Sequence, residues 1–306
     1  VLLDGDVVAF PTETVWGLGA LATDPLAIAK IYAAKGRPND NPLIVHVASM
    51  DAALALFTRW PSRDHAETIL RSFAPGPITV IIPRPAHLPA EVSAGLPTVG
   101  LRIPSHGVAQ ALLQAVGLPV AAPSANASGR PSPTTRDGVL ASLNGKIPLI
   151  LDGPRGELGL ESTVVDCTGA TPTLLRAGAV SVESLRRVAP TIRLLADAEA
   201  QARSPGTRHR HYAPTCRVHL ATSDTRSLPE GATYETSAYI GLTAPSAVES
   251  YRLHRICNSV EHYAHELFEF MRLADNAKVE LLVCERVPVA GIGRALMDRL
   301  HRAARG

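Results

Sequence analysis

The sequence predicts an α/β protein, with a large first domain built on a mixed sheet and a smaller second α/β domain. Three observations carry this. Short apolar runs rich in Val, Ile and Leu are bounded by Pro, Gly or Asn, the punctuation expected of strands. Stretches with apolar residues at helical spacing alternate with them. Several strand-like runs follow one another without an intervening helix, which favours a mixed sheet over a purely parallel one.

In chain order, strands are expected at 6–11 (DVVAFP), 41–47 (NPLIVHV), 77–83 (PITVIIP), 98–104 (TVGLRIP), 118–123 (LPVAAP), 148–153 (PLILDG) and 162–167 (STVVDC). The stretch 10–20 (FPTETVWGLGA) reads as a strand running into a Gly-rich turn. A helix over 24–35 (DPLAIAKIYAAK) starts with Asp24 in capping position and Pro25 at the first helical position, where a missing N–H is harmless. Further helices are expected over 106–116 and 180–189. Periodicity fades after 190, and Ser204-Pro205-Gly206 would break any helix, so 191–214 reads as a linker between domains at 1–190 and 215–306. Strands at 217–222, 237–242 and 279–287, an amphipathic helix over 259–275 and a closing helix over 291–304 suffice for a small three-layer domain. The segment GIGRAL (291–296) lacks the third glycine of a dinucleotide loop and no strand follows it, so a turn before a helix is the better account.

Composition narrows the function classes. The chain has 306 residues, 46% hydrophobic and 19% charged, as ordinary globular proteins do. No apolar run approaches the roughly 18 residues a membrane span needs, so no membrane role is expected. The opening VLLDGDVVAF is too short and too acidic for a secretory signal, and a cytoplasmic protein is expected; beginning at Val1 rather than Met leaves the natural start open. Four scattered cysteines form no CxxC pair, which fits buried reduced thiols better than zinc or a disulfide scaffold. A formal charge of +2 argues against bulk nucleic-acid binding. Residues 203–217 (RSPGTRHRHYAPTCR) break the balance with four arginines, two histidines and no acid. A small anionic ligand and a solvated loop both remain open there.

Several polar stretches sit where α/β folds gather ligands. KGRPNDNPLIVH (35–46) sets two cations and two asparagines before an apolar run. PSANASGRPSPT (123–134) offers hydroxyls, amides and backbone N–H groups suited to a phosphate nest, and equally reads as a surface loop. Glu161, Ser162 and Thr163 open a strand, and Arg176 precedes a Gly turn, where it suits an ion pair or an anion fork. GxxxxGK[ST], GxSxG and HExxH are all absent. The inventory favours positioning of substrates and offsetting of phosphate charge over a covalent intermediate.

FPTETVWGLGA, KGRPNDNPLIVHV, FAPGPITVII, VGLRIP, APSANASGRPSPT, ESTVVD and LLRAGAV, in this order, resemble the YrdC/Sua5 family of threonylcarbamoyl-AMP synthases. SPGTRHRHYAP and the tail through GIGRALMDRL resemble the linker and C-terminal domain of the longer Sua5 type, so the resemblance spans nearly the whole chain. It implies a YrdC-like catalytic domain with a twisted mixed sheet and a concave cleft, a linker that covers the active site, and a Rossmann-like three-layer C-terminal domain. It also implies a nucleotidyltransferase. L-threonine, bicarbonate and ATP would give threonylcarbamoyl-AMP and pyrophosphate, the first step of N6-threonylcarbamoyladenosine formation at position 37 of tRNAs reading ANN codons. A separate transfer complex would take the product, and direct tRNA binding would be weak.

Carried over by motif, Thr14, His46, Arg102, Ser162 and the backbone at Ala122 would hold L-threonine. Arg37, Asn41, Thr98, Ser124, Asn126, Ser132 and Arg176 would hold ATP, with Arg210, His211 and Tyr212 of the linker over the nucleotide. Lys35 and Arg37 would be the catalytic cations. No carboxylate cluster suggests a protein metal site, so Mg²⁺ would travel with ATP. Trp16 stands where the family has tyrosine, which keeps the aromatic body and loses the hydroxyl. Two other classes compete. One is an RNA-binding module without catalysis, disfavoured by balanced charge and 4% aromatic residues. The other is a carbamoyl-transfer enzyme, whose additional zinc-finger and acylphosphatase-like modules are missing here.

Overall fold

The computed structural model describes residues 1–195, 212–222 and 228–305. Among these, ten strands form one mixed sheet and four form a second, parallel one. The first sheet contains β1 (Val8–Phe10), β2 (Gly17–Leu21), β3 (Ile44–His46), β4 (Ile78–Pro83), β5 (Thr98–Arg102), β6 (Val120–Ala121), β7 (Leu149–Ile150), β8 (Thr163–Asp166), β9 (Thr173–Arg176) and β10 (Arg193–Leu194). Their order is β10-β9-β8-β4-β5-β3-β6-β2-β1-β7. β3 runs parallel to β5, whereas β4 is antiparallel to β5 and β6 antiparallel to β3.

Alternation along β1 shows how the sheet buries both faces. Val7 and Ala9 join the larger core, while Val8 and Phe10 turn to a second core. The larger core is closed by α1 (Pro25–Lys35), α3 (Arg63–Phe73) and α6 (Val182–Val188), which contribute Ile28, Ile31, Ile69, Leu70 and Leu185. The smaller is closed by Ala109 and Leu113 of α4 (Gly107–Val116). Short helices α2 (Met50–Ala55) and α5 (Arg136–Leu143) complete this domain. α1 starts as its sequence requires: Asp24 Oδ1 accepts from the N–H groups of Leu26 and Ala27, Pro25 follows, and Gly36 ends the helix in left-handed backbone.

The glycine-rich stretch after PTET is a strand, not the expected turn. Gly19 lies in β2 because a Cβ there would come within 2.8 Å of both Phe10 and Val120. Arg193 and Leu194, within the stretch expected to be a linker, pair in parallel with Thr173 and Leu174 of the first sheet.

The second sheet orders β11 (Arg217–Ala221), β14 (Leu281–Glu285), β12 (Ser237–Gly241) and β13 (Leu253–Ile256). α7 (Val260–Asn276) and α8 (Gly293–Ala304) pack on one face, around Ala238, Ile240, Leu282 and Cys284. Tyr239, Tyr251 and Val283 lie on the other face, where 3₁₀ turns at 234–236 and 248–250 rather than long helices make the third layer. The core beneath α7 and α8 takes in Val15 and Leu160 of the first domain, so the two domains share apolar packing. At Gly159 the backbones touch: φ is +72°, and a Cβ would sit 2.4 Å from the Cα of His265. Arg155–Glu266 and Arg130–Asp275 ion pairs and an Arg272 bond to the Pro131 carbonyl rim this contact. All four cysteines are free and buried. Among the described residues no helix is long and apolar enough to cross a membrane.

Candidate active site

A cavity opens where β3 and β5 end side by side, with His46 and Arg102 in register. Its empty space, counted together with the open solvent at its mouth, is about 670 Å³. The PTET loop, the loop before β3, the 122–132 loop, the start of β8, the end of β9 and Tyr212 all contribute to its wall.

One end is held by the first domain alone. Arg102 donates from Nη2 to Glu13 Oε1 at 2.6 Å and to Thr14 Oγ1 at 2.9 Å, and its Nε has no partner among the described residues. Thr12 Oγ1 donates to the Val15 carbonyl at 2.6 Å and so fixes the loop. Ser162 Oγ lies 2.8 Å from Thr79 Oγ1 and accepts from Arg176 Nη2 at 3.1 Å, while Arg176 Nε donates to the Ser162 carbonyl. His46 Nδ1 is 3.0 Å from the Ile44 carbonyl, which can only accept, so that nitrogen carries the proton. Burial first, and the charge of Arg102 second, push the imidazole pKa down to about 3, so the ring is neutral at pH 7. The Ala122 N–H is spent on the Ile44 carbonyl, and Ala122 itself lines the cavity. An arginine, two hydroxyls and a neutral imidazole within one enclosed end suit an α-amino acid.

The other end is built from loops. Arg37 donates to the carbonyls of Asn41 and Pro42 at 3.2–3.3 Å; burial lowers its pKa to about 10, which keeps it cationic at neutral pH. Asn126 donates to the Ala127 and Arg130 carbonyls, and its Oδ1 has no partner among the described residues. Ser132 Oγ donates to Glu161 Oε1 at 2.6 Å. Ser124 and Arg176 also line this end. Tyr212 closes it in a left-handed backbone conformation (φ 65°), stacked on Phe268 at 5.4 Å. Cations and hydroxyls at this spacing suit a phosphorylated ligand.

Three expected site residues are not among those that line the cavity. Lys35 does not line the cavity: it is buried behind the 124–126 loop, with Nζ donating to the carbonyls of Ser124 and Asn126 at 2.5 Å each. Burial, with Arg37 adding repulsion, holds its pKa well below the usual lysine range. It braces the loop instead of reaching into the cavity. Thr98 starts β5 and is not part of the lining, but with Ile44 in register with Gly100 the start of β5 runs beside the loop before β3 that carries Pro42 into the wall. The Asn41 carbonyl accepts from Arg37 and from Tyr32 Oη, and Asn41 is outside the cavity lining. Arg210 and His211 fall outside the described residues. Glu161, Arg130 and Thr12 line the cavity without having been expected to bind; all three lie inside the quoted motifs, so their position in the sequence was the available signal. Trp16 is fully enclosed in the first domain's core, and its indole N–H has no partner among the described residues, so it packs without replacing a hydroxyl's hydrogen bond.

A family model described as "Telomere recombination", covering Sua5, YciO and YrdC proteins, matches residues 1–178. The chain belongs to the Sua5/YrdC family. A second model, the C-terminal domain of threonylcarbamoyl-AMP synthase, matches 180–305, which identifies the longer Sua5 arrangement. The threonylcarbamoyl-AMP synthase of Pyrococcus abyssi is 37% identical over 311 residues, covering 98% of this chain and 91% of the relative. That of Bacillus subtilis is 39% identical over 322 residues, covering 100% and 91%. The crystal structure of P. abyssi Sua5 complexed with L-threonine superposes with a TM-score of 0.91 at 37% identity, covering 99% of this chain and 92% of that one. The Sua5 relationship therefore extends through both domains.

Proposed function

We propose that this Sua5-type chain makes threonylcarbamoyl-AMP and pyrophosphate from L-threonine, bicarbonate and ATP. The observation that carries the reading is the two-ended cavity, with an amino-acid end around Arg102 and an anion end around Arg37 on a shared wall. Thr14, His46, Arg102, Ser162 and the backbone at Ala122 take threonine. Arg37, Ser124, Asn126, Ser132, Arg176 and Tyr212 take the nucleotide, which brings Mg²⁺ with it as part of the substrate.

The amine of threonine adds to the carbon of CO₂ derived from bicarbonate, forming the N–C bond of a carbamate and releasing a proton. A carbamate oxygen then attacks the α-phosphorus of ATP; the bond to the bridging oxygen breaks, and pyrophosphate leaves with the electron pair. Arg37 and Arg176 offset charge on the phosphoryl groups, and the two-ended wall holds nucleophile and phosphorus in reach. Lys35 serves this step by fixing the 124–126 loop. No side chain forms a covalent intermediate. The product serves threonylcarbamoylation of adenosine 37 in tRNAs reading ANN codons, through a separate complex in the cytoplasm, with only weak direct tRNA contact.

Incubation with ATP, bicarbonate and each of several amino acids, followed by pyrophosphate measurement, tests the reading. Release that depends on threonine supports it, and release indifferent to threonine overturns it.

A further inference from the structure

The cavity is not completed by the first domain. Arg299, on α8 of the second domain, is fully buried although it carries a charge. Its Nε donates to Glu161 Oε2 at 2.9 Å, its Nη1 to Asp298 at 2.7 Å and its Nη2 to the Ala177 carbonyl at 3.0 Å. Its guanidinium also lies over the Tyr212 ring, 5.4 Å from the centroid. Each link that leaves the second domain ends beside the anion end of the cavity. Glu161 holds Ser132, Ala177 follows Arg176, and Tyr212 is itself part of the wall. Burial alone would lower the arginine's pKa, but Tyr212, Glu161 and Asp298 outweigh it and hold the group charged.

We infer that Arg299 is a positioning residue for the nucleotide, the point at which the second domain sets the geometry of Ser132 and Tyr212. The amino-acid end has supports of its own, Thr79 at Ser162 Oγ and Arg102 at Thr14, and meets the anion end through Arg176, which bonds Ser162. Domain adhesion has other sources. The Arg155–Glu266 pair and the Arg272 bond to Pro131 join the same two domains at residues that do not line the cavity. An arginine is required because only its fork reaches three acceptors while its face meets an aromatic ring; lysine keeps the charge and loses both.

This role rests on the proposed ATP site, and direct binding separates the two. On the full chain, with folding checked by cooperative melting, Arg299→Lys should weaken ATP binding by about tenfold in calorimetry while threonine binding stays within about twofold. Arg155→Met, which cuts a domain contact away from the cavity, should leave both within about twofold. Should Arg299→Lys not fold, Glu161→Gln reads the same coupling. It preserves shape and an acceptor for Ser132, removes the charge partner, and should weaken ATP alone. Unchanged ATP binding in the folded variant, or equal loss for ATP and threonine, overturns the inference. Wild-type protein that binds ATP but shows no threonine-dependent pyrophosphate release would overturn the synthase reading and leave this one standing.

Discussion

The two ends of the cavity are built by different means. The amino-acid end is held by hydrogen bonds among Thr12, Glu13, Thr14 and Arg102 and between Thr79 and Ser162, all buried in the first domain, with Arg176 of the other end also bonded to Ser162. The anion end hangs on loops braced from behind by Lys35 and from across the domain boundary by Arg299. The first arrangement is preorganised and should tolerate little. The second divides its support among several struts and should yield in steps.

Substitutions can break this contrast. The largest effect belongs to Arg102→Ala, which removes the carboxylate fork and strands Glu13 as a buried acid without its cation. Its kcat/KM for threonine should fall about 10³-fold, with ATP affinity within about threefold. Arg37→Ala should cut kcat/KM for ATP about 10²-fold and spare threonine binding, because among the described residues its hydrogen bonds go to the Asn41 and Pro42 carbonyls of its own loop. Ser162→Ala should raise KM for threonine about tenfold, the scale of one hydrogen bond, and change ATP less. Equal effects of Arg37→Ala and Ser162→Ala on both substrates would erase the division between the ends.

The smallest effect at neutral pH is that of His46. Folded, its imidazole titrates near 3; unfolded, near 6.5. Between these values the unfolded chain binds a proton that the folded chain refuses, so stability falls as pH drops from about 6.5 towards 3. The slope approaches about 1.4 kcal/mol per pH unit. Denaturant unfolding across that range should show it, and His46→Gln should flatten it.

Much of this was legible because local chemistry agreed with tertiary context. Asp24-Pro25 announced α1, Val- and Ile-rich runs announced β4 and β8, and the ordered motifs placed Arg37, Arg102 and Ser162 on one cavity. Other parts depended on neighbours distant in sequence. β2 is a strand only because Phe10 and Val120 fill the space its glycines leave. α3 shows a narrow apolar stripe of Ala66, Ile69 and Leu70 among charges, too sparse to stand out beside a Trp-Pro break. Lys35 lies in a cationic motif, yet its ammonium meets two carbonyls supplied about 90 residues later. Thr98 lies in its expected strand but not in the cavity lining, since a motif places a residue on a strand without fixing how near its side chain comes to the cavity. Arg299, a charge on an amphipathic helix, reads in sequence as solvated surface; only the docked domain encloses it.

The distribution of the four thiols gives the molecule an internal reporter. Cys167 lies in the first domain's main core, whereas Cys216, Cys257 and Cys284 share the core beneath α7 and α8. Burial raises the pKa of every one of them, so a thiol-specific reagent reacts only when the surrounding structure opens. Mass spectrometry that resolves the Cys167 peptide from the other three therefore times the opening of each half separately in unmodified protein. Because Val15 and Leu160 of the first domain sit in the second core, matched labelling rates would mark the two halves as one cooperative unit, and unmatched rates would mark them as two.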